Sequence, residues 1–145
     1  MAVSSARQAQ IIERLPRFPG SYLLVLRLRR RSSIQVGHWR RLEFKAGYYL
    51  YTGSAFGPGG LRARAGRHIR RSERQRWHID YLRAECTVTA IWTVSGEPRY
   101  ECDWAQALLH SAHADPVAGF GCSDCRCRAH LFHATDLKSV EHTIA

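Results

Sequence analysis

Lysine is almost missing from this chain of 145 residues. Of its 22 basic residues only Lys45 and Lys138 are lysine, and the other 20 are arginine. Acidic residues are scarce as well: 12 Asp and Glu against 22 Lys and Arg leave a formal charge of +10. Such a field favours a polyanionic partner, with nucleic acid foremost. A GC-rich coding bias would explain arginine over lysine, but not the way the arginines cluster. Long apolar runs are absent. The longest, Tyr22 to Leu26, is far too short to cross a bilayer, so no membrane partner is expected. The opening stretch MAVSSARQAQ has no apolar segment of signal-peptide length, which points to the cytoplasm. Repeats and low-complexity tracts are also missing. With 45% hydrophobic and 23% charged residues, the chain is neither disordered, collagenous nor a coiled coil. Its five cysteines are an odd number, which argues against a disulfide framework.

What is present reads as one domain over 1–145, with a helical extension at 1–17, a core at 18–133 and a tail at 134–145. Ser4 to Leu15 has the pattern of a short helix ended by Pro16. Ser21 to Arg29 reads as a strand with Tyr22, Leu24, Leu26 and Leu28 on one face. Ile34–Val36 and Leu42–Phe44 are short strand candidates, and Gly47–Gly53 is a longer one rich in aromatics. After a Gly-rich loop at 56–60, Leu61–Arg71 reads as a helix with Leu61, Ala65 and Ile69 as its apolar stripe. Trp77–Ala84 follows as a short helix. Cys86–Val94 is a strand with Cys86, Val88, Ala90, Trp92 and Val94 on one face. Arg99–Ala112 is a helix, 113–128 is irregular, Leu131–His133 is a short edge strand, and the tail from Asp136 is helical. Strands gathered early in the chain predict an α+β fold: a small, mainly antiparallel sheet flanked by helices.

Seven arginines lie between Arg62 and Arg76, namely Arg62, Arg64, Arg67, Arg70, Arg71, Arg74 and Arg76, against one acid, Glu73. On a helix and the loop after it they form a dense cationic surface that backbone phosphates would bind. The bland alternative is a solvated helix face. Register favours the phosphate reading. The arginines sit beside His68, and the preceding Gly-rich loop lets backbone approach an anion closely.

Three pieces together resemble the GIY-YIG nuclease superfamily. Gly20-Ser21-Tyr22 opening a strand resembles its first element. Tyr51-Thr52-Gly53, followed by Ser54-Ala55, resembles its second. Leu61-x-x-Arg64-x-x-x-His68 resembles its helix with Arg and His four apart. Glu101, at the start of a helix, stands where the superfamily keeps a metal-binding Glu. WHIDYL and GFGCSDCRCRAHLF are similar to an uncharacterised prokaryotic branch of it, and the likeness spans about residues 18 to 133. The middle letters depart from the pattern, being Ser21 and Thr52. The gap from Tyr22 to Tyr51, 29 residues, implies an inserted strand pair between Ile34 and Phe44.

Phosphodiester cleavage needs an activated water, charge neutralisation at the phosphate, a metal or acid at the leaving oxygen, and positioning. Glu101 would hold a single divalent cation, Mg²⁺ or Mn²⁺. Arg64 would fork onto phosphate oxygens. Tyr22 or Tyr51 would orient the water or accept its proton. A phenol near pKa 10 is a poor base, so arginine or the metal must lower it. His68 or His78 would relay that proton. The resemblance implies Tyr22 as base and Tyr51 as phosphate contact. The expected activity is thus a metal-dependent endonuclease or nicking enzyme acting on DNA, branched or damaged DNA included. Each residue has a structural alternative: packed aromatics for the tyrosines, a surface histidine for His68, a bonded one for His78, and a dipole-favoured first-turn acid for Glu101. Glu101 does line up with Ala105 and Leu108 on the apolar face, which is unusual for a merely solvated acid.

Cys122-x-x-Cys125-x-Cys127-x-x-His130 offers four soft ligands for zinc, set against a tight turn with small buried thiols. Two other functions therefore stand beside the nuclease: a non-catalytic nucleic-acid-binding module, and a zinc-stabilised interaction domain.

Overall fold

Three nine-residue strands, each with apolar side chains on both faces, organise the molecule. A computed structural model of the chain describes residues 5–70, 74–122 and 126–144. In chain order the elements are α1 (Ser5–Arg14), β1 (Gly20–Leu28), β2 (Ser32–Val36), β3 (Arg40–Phe44), β4 (Gly47–Ala55), α2 (Gly60–Ile69), α3 (His78–Arg83), β5 (Thr87–Ser95), α4 (Glu101–Leu109), β6 (Ala114–Pro116), β7 (Leu131–Ala134) and α5 (Leu137–Ile144). The fold is α+β. Five strands pair antiparallel in the order β5-β1-β4-β7-β6, and helices flank the sheet.

Successive strand side chains point to opposite faces, and both faces of β1 are covered. Leu24, Leu26 and Leu28 pack with Ile79 and Leu82 of α3 and with Ile34, Val36 and Phe44 of the β2–β3 hairpin. Leu23 and Val25 turn the other way and pack with Leu50, with Ala105 and Leu108 of α4, and with Val140 of α5. Only Arg27 of β1 is exposed. Each fully buried Leu or Val here contributes about 1.5–3 kcal/mol. The inserted strand pair exists as a separate two-stranded sheet. Because it folds out of the way, β1 and β4 pair directly despite the long gap between them.

Three details differ from the sequence-based expectation. Residues 114–116 form the edge strand β6, so β7 lies inside the sheet between β4 and β6 rather than at its edge. Three residues ending in proline carry no periodic signal. In β5 the register slips opposite Val25 and Leu26. Ala90 and Trp92 therefore pack on the α4 face, while Val88 packs with Leu24 and Leu26 on the other. A bulge of this kind breaks strict alternation. Finally, α4 is shorter than the expected helix from Arg99 to Ala112.

The N-terminal helix is tied down. Ile11, Ile12 and Leu15 pack on Leu61, Ala65 and Ile69 of α2. Gly60, at φ +58, has the Arg17 and Phe18 carbonyls where a Cβ would sit. Only glycine fits so close an approach in that conformation.

Candidate active site

In the β1–β4 register Tyr22 lies opposite Gly53, and Tyr51 lies opposite Leu24. The two phenols thus share one face of the sheet, on neighbouring strands. Gly53 has a steric reason: a Cβ there would collide with the Tyr22 ring, which lies across the β4 backbone. Gly20 has another, since its Cβ would run into the Val94 carbonyl and the Leu61 side chain.

Helix α2 crosses this face and brings Arg64 and His68 to the tyrosines. His68 is not a surface residue; it is 1% exposed, with Nε2 2.9 Å from the Tyr22 hydroxyl. Its ring meets Tyr51 edge-on at 6.0 Å. Its Nδ1 faces Asp80 Oδ1 at 3.8 Å. The Arg64 guanidinium stacks over Trp77 at 4.2 Å, and its buried Nε has no hydrogen-bond partner among the described residues. Arg67 covers the same indole at 4.3 Å and Arg76 lies 5.4 Å from it. Asp80 organises this cluster. Its Oδ1 accepts from Arg67 Nη1 at 3.0 Å, and its Oδ2 accepts the backbone N–H groups of Arg76 and Trp77 at 2.7 and 2.9 Å. Buried Arg83 donates to the carbonyls of His68, Ile69 and Cys86. Two of these belong to the last turn of α2, where carbonyls lack helical partners.

Burial dominates the titration of these groups. Tyr22 is held well above the usual phenol range by desolvation first and by Tyr51 second; Arg64 pulls it down, but by less. Tyr51 is raised by burial and by Glu101, against Arg64. The expectation that arginine lowers the phenol pKa is therefore corrected: Arg64 acts in that direction, and desolvation outweighs it. Burial pushes His68 down to about 4, although Asp80 works the other way.

Glu101 opens α4 on the opposite face of the sheet. Its side chain is 28% exposed, and its charge opposes ionisation of both Tyr22 and Tyr51. A half-buried carboxylate at this point suits a divalent cation that keeps part of its water shell. The unexpected middle letters of the two triplets serve this half of the site. Ser21 Oγ accepts the Tyr100 backbone N–H at 2.9 Å, next to Glu101. Thr52 Oγ1 contacts His130 Nδ1 at 2.9 Å, and the Thr52 N–H donates to the His130 carbonyl. His130 Nε2 lies 3.9 Å from Glu101 Oε1. Burial lowers the His130 pKa, and Glu101 raises it.

The ligating atoms of Cys102, Cys127 and His130 lie within 4.8 Å of one another, a group able to hold a metal ion. This changes the expected set. Cys122 is outside the group, its thiol directed at the Phe120 carbonyl. Cys125 lies outside the described residues. Cys102 enters from α4, which nothing in the spacing of the later cysteines indicated.

A family profile described as "Domain of unknown function DUF123" matches residues 21–145. The chain belongs to the DUF123 family. No curated protein and no solved structure matches it.

The remaining expected residues of this DUF123 chain divide by what they touch. His78 is held by other contacts: its Nδ1 accepts from the Gly121 N–H, and its ring stacks on Trp39 at 4.5 Å. Arg62 donates to the Leu15 and Glu13 carbonyls and fastens α1 to α2, so its guanidinium is engaged in the fold. Arg70, Arg74 and Arg76 are exposed, and Arg71 lies outside the described residues. A hollow of about 320 Å³ opens beside the site, bordered by Pro58, Arg64, Arg67, Arg76 and Trp77. A larger one of about 680 Å³ lies between the hairpin and α3, lined by residues such as Ser33, Gln35, His38 and Tyr81, away from the phenols. Among the described residues, no helix is long and apolar enough to cross a membrane. Sequence reasoning missed Asp80 as a partner of Arg67 and His68, and Trp77 as the plate beneath three arginines. Its one available signal for Asp80 was the acid's place in a helical first turn.

Proposed function

We propose that this protein is a metal-dependent endonuclease of the GIY-YIG type that nicks or cuts DNA. One observation carries the reading: residues 22, 51, 64 and 68, far apart in the chain, gather on one face of the sheet, and the charge of Glu101 reaches both phenols. A phosphate entering the cationic hollow would meet the Arg64 guanidinium, whose buried Nε has no acceptor among the described residues. Arg64 then offsets the charge that develops on the phosphate oxygens. Its stacking on Trp77 holds the planar fork in place. Tyr51 lies beside it as a phosphate contact.

Tyr22 acts as a neutral phenol rather than a phenolate. Its hydroxyl takes a proton from the attacking water on a lone pair while passing its own proton to His68 Nε2. The Asp80 carboxylate, facing Nδ1, steadies the imidazolium that forms. Glu101 would hold Mg²⁺ or Mn²⁺, which when bound acidifies water and neutralises charge at the leaving oxygen. Exposed Arg70, Arg74 and Arg76 give a salt-sensitive grip on the DNA backbone.

The test is nicking of supercoiled and branched DNA in Mg²⁺ or Mn²⁺. Arg64→Ala is expected to slow the reaction by about 10²–10³-fold, and Glu101→Gln to abolish its metal dependence. Equal nicking by both variants and the parent refutes the assignment. The burial of Tyr22, at 1% exposure, favours a second reading, a non-catalytic nucleic-acid-binding module. Salt-sensitive DNA binding without cleavage at any metal concentration would support it.

A further inference from the structure

The cysteines play no part in the chemistry above, yet two of them meet. Cys102, in the first turn of α4, and Cys127, in the segment before β7, bring their sulfurs to 2.8 Å. His130 joins them from the residue preceding β7, all three ligating atoms lying within 4.8 Å of one another. We propose that Cys102, Cys127 and His130 bind a structural zinc ion that pins α4, and with it the Glu101 backbone, to the sheet.

The imidazole separates this reading from its main competitor, a Cys102–Cys127 disulfide. A disulfide makes no use of a histidine. Here the Thr52 hydroxyl holds His130 Nδ1 at 2.9 Å, and the His130 backbone bonds to Thr52 and Phe120. With Nδ1 so held, coordination falls to Nε2, which also lies 3.9 Å from Glu101 Oε1. Metal-bound histidines are oriented in this way, by a hydrogen bond to the other ring nitrogen. Two thiolates and an imidazole are also the donors zinc prefers over magnesium. Two sulfurs bound tetrahedrally at about 2.3 Å stand roughly 3.8 Å apart, so binding would spread the pair by about 1 Å. Each thiol gives up its proton to solvent as its sulfur coordinates. Zinc's fourth position falls to a donor outside these three.

The experiment uses the full chain purified under reducing conditions. Elemental analysis should find one zinc per chain. Replacement by cobalt should give thiolate-to-cobalt charge-transfer absorption and the intense visible bands of a tetrahedral ion. Cys102→Ser and Cys127→Ser should lose the metal, while Cys122→Ser keeps it. Thr52→Val should weaken zinc binding about 10–100-fold, measured by competition with a chelating dye. Glu101→Gln should retain zinc, so a failure of the nuclease reading leaves this result untouched. Three findings would overturn the proposal: no zinc together with a weak, octahedral cobalt spectrum; loss of metal from Cys122→Ser as complete as from Cys102→Ser; or an intact mass, without reductant, lower by the two thiol hydrogens. The cobalt spectrum is read on the unsubstituted protein, so a variant that fails to fold does not remove the test.

Discussion

Lowering the pH from 8 to 5 tests the buried imidazole at the centre of the site. His68 titrates near 6.5 when solvated and near 4 in the folded protein, because burial disfavours its charged form. At intermediate pH the unfolded chain therefore binds a proton that the folded chain does not. Stability from this group is complete above about pH 6.5, falls as the pH drops towards 4, and levels off below that. The loss at pH 5 is about 2 kcal/mol, rising to about 3 kcal/mol at pH 4. The assay is urea unfolding at pH 8 and pH 5, followed by tryptophan fluorescence, for the parent and for His68→Gln. The amide cannot titrate and can still hydrogen-bond Tyr22. His78 and His130 are shifted in the same direction, but they are common to both proteins and cancel in the comparison. The parent should lose about 2 kcal/mol more than the variant between the two pH values. An identical pH dependence in both would show that His68 is not held neutral, and the relay from Tyr22 would fall with it.

Other expectations follow from the same contacts. Gly53→Ala should drive the Tyr22 ring off His68 and cost about 1–3 kcal/mol through overpacking. Urea unfolding measures the cost, and an unchanged stability would contradict the ring's placement across β4. Arg83→Met should destabilise by about 3 kcal/mol or more, since it strands three buried carbonyls; thermal unfolding would show this, and a shift of only a degree or two would refute it. Ser21→Ala leaves the Tyr100 N–H unpaired and should cost about 1–3 kcal/mol while lowering any metal-dependent nicking, so an unaffected rate would deny Ser21 a role in placing Glu101. Trp77→Ala should reduce the salt dependence of DNA binding by freeing Arg64 and Arg67 from their stack, which a titration across salt concentrations would detect.

The sheet was legible because its strands are long enough to show alternation. Tyr22, Leu24 and Leu26 fall on one face as the period-2 rule requires, and the i, i+4 spacing on α2 correctly aligns Arg64 with His68. Local patterns said less about which stripe turns inward. His68 lies among arginines in the sequence, and it is buried because α2 packs Leu61, Ala65 and Ile69 onto the sheet and carries the imidazole down with them. Strand β6 was too short to announce itself, and without it β7 looked like an edge. The bulge in β5 is a tertiary adjustment to β1 that alternation alone does not predict. The metal group was half visible. Cys127 and His130 are neighbours in the chain, but Cys102 reaches them only because α4 docks against the β4–β7 side of the sheet.

The two glycine–hydroxyl–tyrosine neighbourhoods have a consequence for the whole molecule. In an extended chain, adjacent residues look to opposite sides, so Tyr22 serves the α2 side while Ser21 holds the start of α4. Tyr51 and Thr52 divide their duties the same way. Each strand is therefore a rivet through the sheet, with one head in each layer. Any slip of β1 against β4 would misplace the phenols and unfasten the carboxylate side at once, so the two faces can only assemble, or fail, together.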